Sequence, residues 1–513
     1  MAGAAEHSAL TGAILKGTAT NYLRVAVKLV KTVMLTRILQ YHLGVDFYGY
    51  WTLLWAVFGY AMLLELGFGR TMQKYTAEGV DTPERLLSFN RIFSAVLASY
   101  LGIALALLAI SALLAVNLES IFRLPEDNTG YYRTVFWVFG IGCAVVFPTG
   151  ICTEILAGMH KIHWRNWVII LNQLFELAGI WLTFRLGGSL LAIAVFTCAN
   201  NLFSNIVMAA AIRRRIPGIR FTFSGLSIAT FRRIADFSVF SYLMSIAALV
   251  IFRTDRVVLG ACSGIAAVAV YQFGTRIPEL FQYFTGQLTE TMGPTASRLY
   301  LRGEHEELRR YMLIASKVNV FLGAGALVGA GFLAAPILKA WLDLDSAEVL
   351  NITYVMLFSG FLSVAFRDTA NVFMQMSGRH RIIAVSVIFE AVFNLGLSLA
   401  LVFRYHAFGV AIGTLIPNAL LALFVMFPLA AGHMKLGLWE YFTRVYLPVI
   451  PAALLTALAL WGFRHFISEW NWPLILTAAA VAGILYPAAA GMLLFTAAER
   501  RALLDRCRSL AAR

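Results

Sequence analysis

Charge is scarce in this chain. Only 13% of its 513 residues are Asp, Glu, Lys or Arg, against about 25% in an ordinary soluble domain. Hydrophobic residues make up 60%, and the mean hydropathy is +0.76. That composition cannot cover a water-facing globule, so the chain reads as a polytopic membrane protein. Cysteine is scarce as well. Cys143, Cys152, Cys198, Cys262 and Cys507 lie mostly inside apolar runs and form no CxxC pair, which excludes a disulfide framework. No GxxxxGK[ST] loop occurs, so no ATPase module is encoded. His305-Glu306 fails as a zinc motif because Arg309 stands where the second histidine belongs. His160 and His163 fall in a basic turn, so neither a metal nor any other cofactor is expected. Gly323, Gly325, Gly329 and Gly331 sit inside an apolar run and suit close helix packing, not phosphate binding. A cleavable leader is not expected either, since the first apolar stretch carries Arg24, Lys28, Lys31 and Arg37.

What is present is a succession of long apolar runs. A membrane-crossing helix needs about 20 mostly apolar residues, and the runs and breaks give about fourteen. The first six fall near 18–39, 47–69, 89–115, 133–156, 167–186 and 190–211. Six more fall near 237–260, 266–290, 312–335, 351–376, 382–403 and 408–430. Two follow near 445–466 and 473–495. Placing both termini in the cytoplasm puts most of the 41 Lys and Arg inside, including Arg213-Arg214-Arg215 and the C-terminal cluster. The outside loops then hold only Arg123, Arg133, Arg185, Lys339, Arg404 and Arg464, as the positive-inside bias requires. The same placement explains the net charge of +14 without nucleic acid. All loops are short, which argues against an enzyme that carries its catalytic residues on extramembrane loops.

The two halves resemble each other at an offset of about 220 residues. Tyr22-Leu23 recurs as Tyr242-Leu243, and Gly158-Met159-His160-Lys161 as Gly378-Arg379-His380-Arg381. The expected organisation is an N-terminal lobe (1–212), a basic cytoplasmic linker (213–236), a C-terminal lobe (237–431), two further helices (432–495) and a basic tail (496–513). Parallel repeats of this kind place a binding site between them near the bilayer midplane.

The first span carries Arg24, Lys28 and Lys31 on one face, within roughly 60° of the helix wheel, joined by Asn21. Cations facing lipid are costly, so such a face turns to a protein interior or a watery cavity. One reading gives it an anionic substrate. The other gives it internal ion pairs and an Arg24 that snorkels to the interface. Further polar stripes carry Arg253, Asp255 and Arg256; Arg276 and Glu279; Arg367 and Asp368; Glu390; and Glu176. Arg276–Glu279 and Arg367–Asp368 are also plausible structural pairs. Glu65 is expected to pack or cap. Prolines within the spans, such as Pro278 and Pro417, suit helices that kink.

With these residues in view, the chain resembles a family. Thr36-Arg37-Ile38-Leu39, Leu43-Gly44, Tyr48-Gly49 and Leu64-Glu65-Leu66-Gly67 are similar to the opening of polysaccharide-precursor flippases, the O-antigen flippases among them. These belong to the multidrug/oligosaccharidyl-lipid/polysaccharide (MOP) exporter superfamily. Thr254-Asp255-Arg256-Val257-Val258-Leu259-Gly260 and Gly409 to Pro417 agree. The resemblance implies an all-α polytopic fold, two six-helix lobes around a central cavity plus two C-terminal helices, and alternating access. It implies a bacterial inner-membrane flippase for an oligosaccharide on undecaprenyl pyrophosphate. Arg24, Lys28 and Lys31 would hold the pyrophosphate, with Arg253, Arg256, Arg276 and Arg367 as further candidates. Glu176, Glu279, Asp368 and Glu390 would couple ions (H+ or Na+) or balance charge. Membrane lipids and polysaccharide assembly enzymes are the expected partners. The alternatives are a cation or drug antiporter of the same superfamily, a lipid II flippase, and last a membrane enzyme acting on lipid-linked glycans. An antiporter for cations is expected to place a carboxylate on the first span, and three cations stand there instead.

Overall fold

A computed structural model describes residues 2–60, 68–159, 161–223, 226–227, 253–377, 380–467, 469–496 and 499. Glu65, most of the expected span 237–260, the second copies of both repeat motifs at Tyr242-Leu243 and Gly378-Arg379, and the tail beyond 499 lie outside the described residues. Among those described, regular structure is helical throughout, without a strand. Nine helices among them are long and apolar enough to cross a membrane. The chain divides into two compact units, Met1–Ala269 and Val270–Arg513.

In the first unit, helix Ala2–Gly59 is broken at Gly44 (φ 72°, ψ −175°). That left-handed φ is open to glycine at little steric cost, and it falls between the two spans expected at 18–39 and 47–69. The stretch before the break runs along helix Ile162–Arg185. Asn166 Nδ2 donates to Thr20 Oγ1 at 3.2 Å, and the rings of His42 and Phe184 stack at 4.4 Å. Residue numbers rise together along both, so the two helices are parallel, as the first and fifth passes of an up-and-down chain must be. Helices Pro83–Val116, Thr129–Val146 and Leu190–Arg215 complete the bundle. Its core includes Met72, Phe89, Val96, Ile155 and Leu156. The first residues of the expected linker are not free. Asn90 Nδ2 donates to Gly218 O at 3.0 Å, Arg220 N donates to Asn90 Oδ1 at 3.2 Å, and Thr222 N donates to Ser94 Oγ at 2.7 Å. Residues 216–223 are thereby strapped to the start of Pro83–Val116.

In the second unit, the apolar stretch Arg381–His433 has 53 residues, about 80 Å of helix and far more than one crossing. It breaks at His406 (φ 46°, ψ −127°), in the loop expected between 403 and 408. Two widened π-type turns, Ser363–Asp368 and Leu421–Met426, interrupt otherwise regular helices. Helix Trp472–Leu494 packs on His305–Leu342, where Tyr486 Oη donates to Phe321 O at 2.7 Å. Gly325 makes that approach possible, because a Cβ there would stand 2.7 Å from the Tyr486 ring. Beneath, Asn319 Nδ2 donates to Thr369 Oγ1 at 2.8 Å and to Thr289 Oγ1 at 3.2 Å, joining three helices through one buried amide.

Apolar packing does not distinguish a helix from lipid, so such polar contacts hold membrane helices in register, at about 0.6–1.7 kcal/mol each. Asn319→Ala is expected to lower stability by about 1 kcal/mol, seen as an earlier thermal unfolding transition in detergent. An unchanged transition would remove Asn319 as the link.

Candidate functional site

The cationic face of the first helix meets helix Ile162–Arg185. Lys31 Nζ donates to Glu176 Oε2, with the two side chains only 19% and 8% exposed. The internal pair therefore accounts for Lys31. Arg24 Nη2 donates to Asn21 Oδ1 at 2.7 Å, one turn back on its own helix. Arg24 Nε and the Nε of Arg165 are buried without a hydrogen-bond partner, and the two guanidinium groups repel each other across the helix pair, with Glu154 opposing on Arg165. Lys28, one turn from both Arg24 and Lys31, is exposed. Glu176 is matched to Lys31, and Arg24 and Lys28 are the other two cations of this face, with Arg165 close to Arg24. Such a group is chemically a receptor for a multiply charged oxyanion, because converging cations offset the cost of stripping water from it.

Arg253 and Arg256 stand elsewhere in the first unit, on helix 253–263. Arg253 Nη1 donates to Trp55 O at 2.6 Å. Gly59 makes room for this guanidinium, since a Cβ there would lie 1.8 Å from Nη1. Tyr60 and Thr254 join hydroxyls at 2.7 Å beside it, and Asp255 is buried. Arg253 thus braces the helix carrying Trp55.

In the second unit, Arg276 pairs with Glu279 at 3.2 Å within one turn of helix Ile265–Glu290. Gln272 Nε2 and Thr275 Oγ1 donate to the same carboxylate. Arg367 does not take its sequence neighbour Asp368. It pairs with Glu390 at 2.7 Å and also donates to Asn418 Oδ1 at 3.2 Å. Asn418 in turn receives Ser363 Oγ and donates to Ser359 O and Oγ. Glu390 is 3% exposed, and its Oε2 is buried without a hydrogen-bond partner. Arg367 and Asp368 close the π-type turn Ser363–Asp368, a distortion that recurs at functional sites. The Tyr446 hydroxyl donates to Ala365 O at 3.0 Å within that turn, and its ring stacks on Phe366 at 4.4 Å. Among the described residues, no group of three or more His, Cys, Asp or Glu could hold a metal ion.

Arg165 and Lys317 belong to none of the polar stripes visible in the sequence. Lys317, buried in helix His305–Leu342, pairs with Glu499 at 3.0 Å and tethers the chain beyond Trp472–Leu494 to this helix. A lysine inside an apolar span was a visible signal. Its partner, 182 residues on, was not.

Removing one partner of a buried pair leaves the other charge uncompensated, at about 3–5 kcal/mol. Glu176→Gln is expected to destabilise the protein by about that amount. The double change Lys31→Met with Glu176→Leu is expected to recover most of it. A double-mutant cycle of unfolding in detergent measures the difference, and additive losses would show that the pair is not coupled.

Comparison with known proteins agrees with this architecture. The chain is 21% identical over 497 residues to the uncharacterized membrane protein EpsK of Bacillus subtilis (strain 168), covering 93% of this chain and 94% of that protein. Its fold is similar to that of the lipid II flippase MurJ in an inward closed conformation, with a TM-score of 0.70 and 13% identity over 93% of this chain and 98% of that one. It is similar as well to an inward-facing multidrug resistance MATE transporter of the MOP superfamily, with a TM-score of 0.67 and 16% identity over 82% and 98% of the two chains. The family described as polysaccharide biosynthesis protein matches residues 14–299. The chain belongs to that family, on a fold shared with the MurJ and MATE transporters.

Proposed function

We propose that the protein is a flippase that moves an undecaprenyl-pyrophosphate-linked oligosaccharide across the bacterial inner membrane by alternating access, for cell-surface polysaccharide synthesis. The observation that carries this reading is the cationic face itself. Glu176 balances Lys31, while Arg24 and Lys28 bring two further cations to a helix in the apolar part of the chain. A pyrophosphate suits a face this rich in cations, and a cationic drug does not. The family membership supports a role in polysaccharide synthesis, and the shared fold supports transport. The Lys and Arg placement supports cytoplasmic termini, hence loading from the cytoplasmic leaflet. The polyprenyl tail remains in lipid while the sugar crosses, so the protein need only shelter polar groups.

The Arg367–Glu390–Asn418 cluster is the second part of the proposal. Glu390 Oε1 engages Arg367, while Oε2 is buried without a hydrogen-bond partner. A carboxylate so held can accept a proton or a sodium ion and loosen its grip on Arg367. Glu390 is therefore proposed as the coupling group, with Asp368, the neighbour of Arg367 in the π-type turn, as a second candidate. Arg253, Arg256 and Arg276 are proposed as bracing cations, the first through Trp55 and the last through Glu279.

Lys28→Ala is expected to abolish translocation of a lipid-linked oligosaccharide in proteoliposomes at normal protein levels, with Lys28→Arg retaining part of it. Full transport by Lys28→Ala would move the pyrophosphate site elsewhere. Glu390→Gln is expected to remove the response of transport to an imposed proton or sodium gradient. An unchanged response would exclude Glu390 from coupling. Failure of the unmodified protein to move any glycan-lipid, together with export of cationic dyes, would favour the antiporter.

A further inference from the structure

The strap at 216–223 does more than close the first unit. It borders an apolar groove between helices Pro83–Val116, Ile151–Gly158 and Leu190–Arg215, a half-open cavity of about 370 Å³. That lies within the range of about 300–1,000 Å³ typical of ligand pockets. Leu97, Ile155 and Ile206 are among its walls. Its few polar side chains satisfy each other, as where Asn205 Nδ2 donates to Thr149 Oγ1 at 2.7 Å. The charged residues of its lining are Arg213 and Arg220. Both are exposed, one on the last turn of an apolar helix and one on the strap. The neighbouring arginine of the triplet, Arg215, is engaged elsewhere, over the Trp164 ring at 5.5 Å. An apolar slot with two cations at the end of a membrane-spanning helix matches one class of molecule, a lipid with a negatively charged head.

We propose that this groove binds one anionic phospholipid, with an acyl chain between the apolar walls and the headgroup phosphate at Arg213 and Arg220. The cavity takes roughly a dozen methylene-sized groups, a methylene being about as large as a water at ~30 Å³. That suits most of a single acyl chain and only a fraction of an undecaprenyl tail. A zwitterionic lipid would bring its own ammonium beside the two arginines, so the site selects net negative charge. Because Asn90 and Ser94 hold the strap, the bound lipid fastens the end of helix Leu190–Arg215 to helix Pro83–Val116.

The test is native mass spectrometry of the full chain, titrated in detergent with phosphatidylglycerol or phosphatidylethanolamine. One phosphatidylglycerol is expected to remain bound with about a thirtyfold preference, since each of the two basic residues near an anionic lipid contributes about 1 kcal/mol. Arg213→Gln with Arg220→Gln is expected to bring the two lipids to parity. Ala209→Trp, which fills the groove with both arginines intact, is expected to lose the adduct. Arg214→Gln, a basic neighbour outside the lining, is expected to keep it. Parity in the unmodified protein, or a preference that survives both groove variants, would overturn the proposal. Displacement of the adduct by equimolar undecaprenyl phosphate would also overturn it, by assigning the groove to the transported lipid.

Discussion

A lysine deep in an apolar helix is held in place where a carboxylate offsets its lost hydration. Lys31 and Glu176 meet that condition by bringing two distant stretches of chain side by side. The pair determines which face of the first helix packs on Ile162–Arg185, and so where Arg24 and Lys28 are presented. Thr20–Asn166 on one side and His42–Phe184 on the other hold the same register. A single ion pair thereby makes Lys31 a structural anchor and fixes the side on which Arg24 and Lys28 lie.

The second unit applies the same constraint differently. Its polar groups form local networks: Arg276 with Glu279, Asn319 with two threonines, Arg367 with Glu390 and Asn418. The last of these sits on a π-type turn, where the ordinary ladder is interrupted and a side chain can take over a carbonyl. Tyr446 does so at Ala365. The segment leading into the C-terminal helices therefore touches the turn that bears Arg367. Lys317–Glu499 ties the far end of the same helices to His305–Leu342. The two further helices expected at 432–495 are bonded to the polar elements of this unit at both ends.

Much of the fold was legible in advance because the bilayer imposes a length and a composition on every crossing. The gap expected between 39 and 47 holds the Gly44 break, and the gap between 403 and 408 holds the one at His406. The cationic face was legible because helical periodicity alone aligns residues 24, 28 and 31. Charge pairing was less so. Arg276–Glu279 lies within one helical turn and could be anticipated. Arg367 offered the adjacent Asp368, yet adjacent residues on a helix point about 100° apart, and Glu390 on another helix lies where the guanidinium points. The strap at 216–223 read as a linker, because its tie to Asn90 runs through backbone groups that every residue carries.

The sequence by itself determined that the chain lives in a membrane, how its apolar stretches divide, and that the first span carries cations needing an anion. Those properties depend on composition and on periodicity along one helix. Only the tertiary structure decided which anion each cation receives. Partner choice depends on helix register and on the few ångströms over which a charged hydrogen bond acts. Glu176, Glu390 and Glu499 are chemically alike in sequence, and packing alone assigned each to its own lysine or arginine.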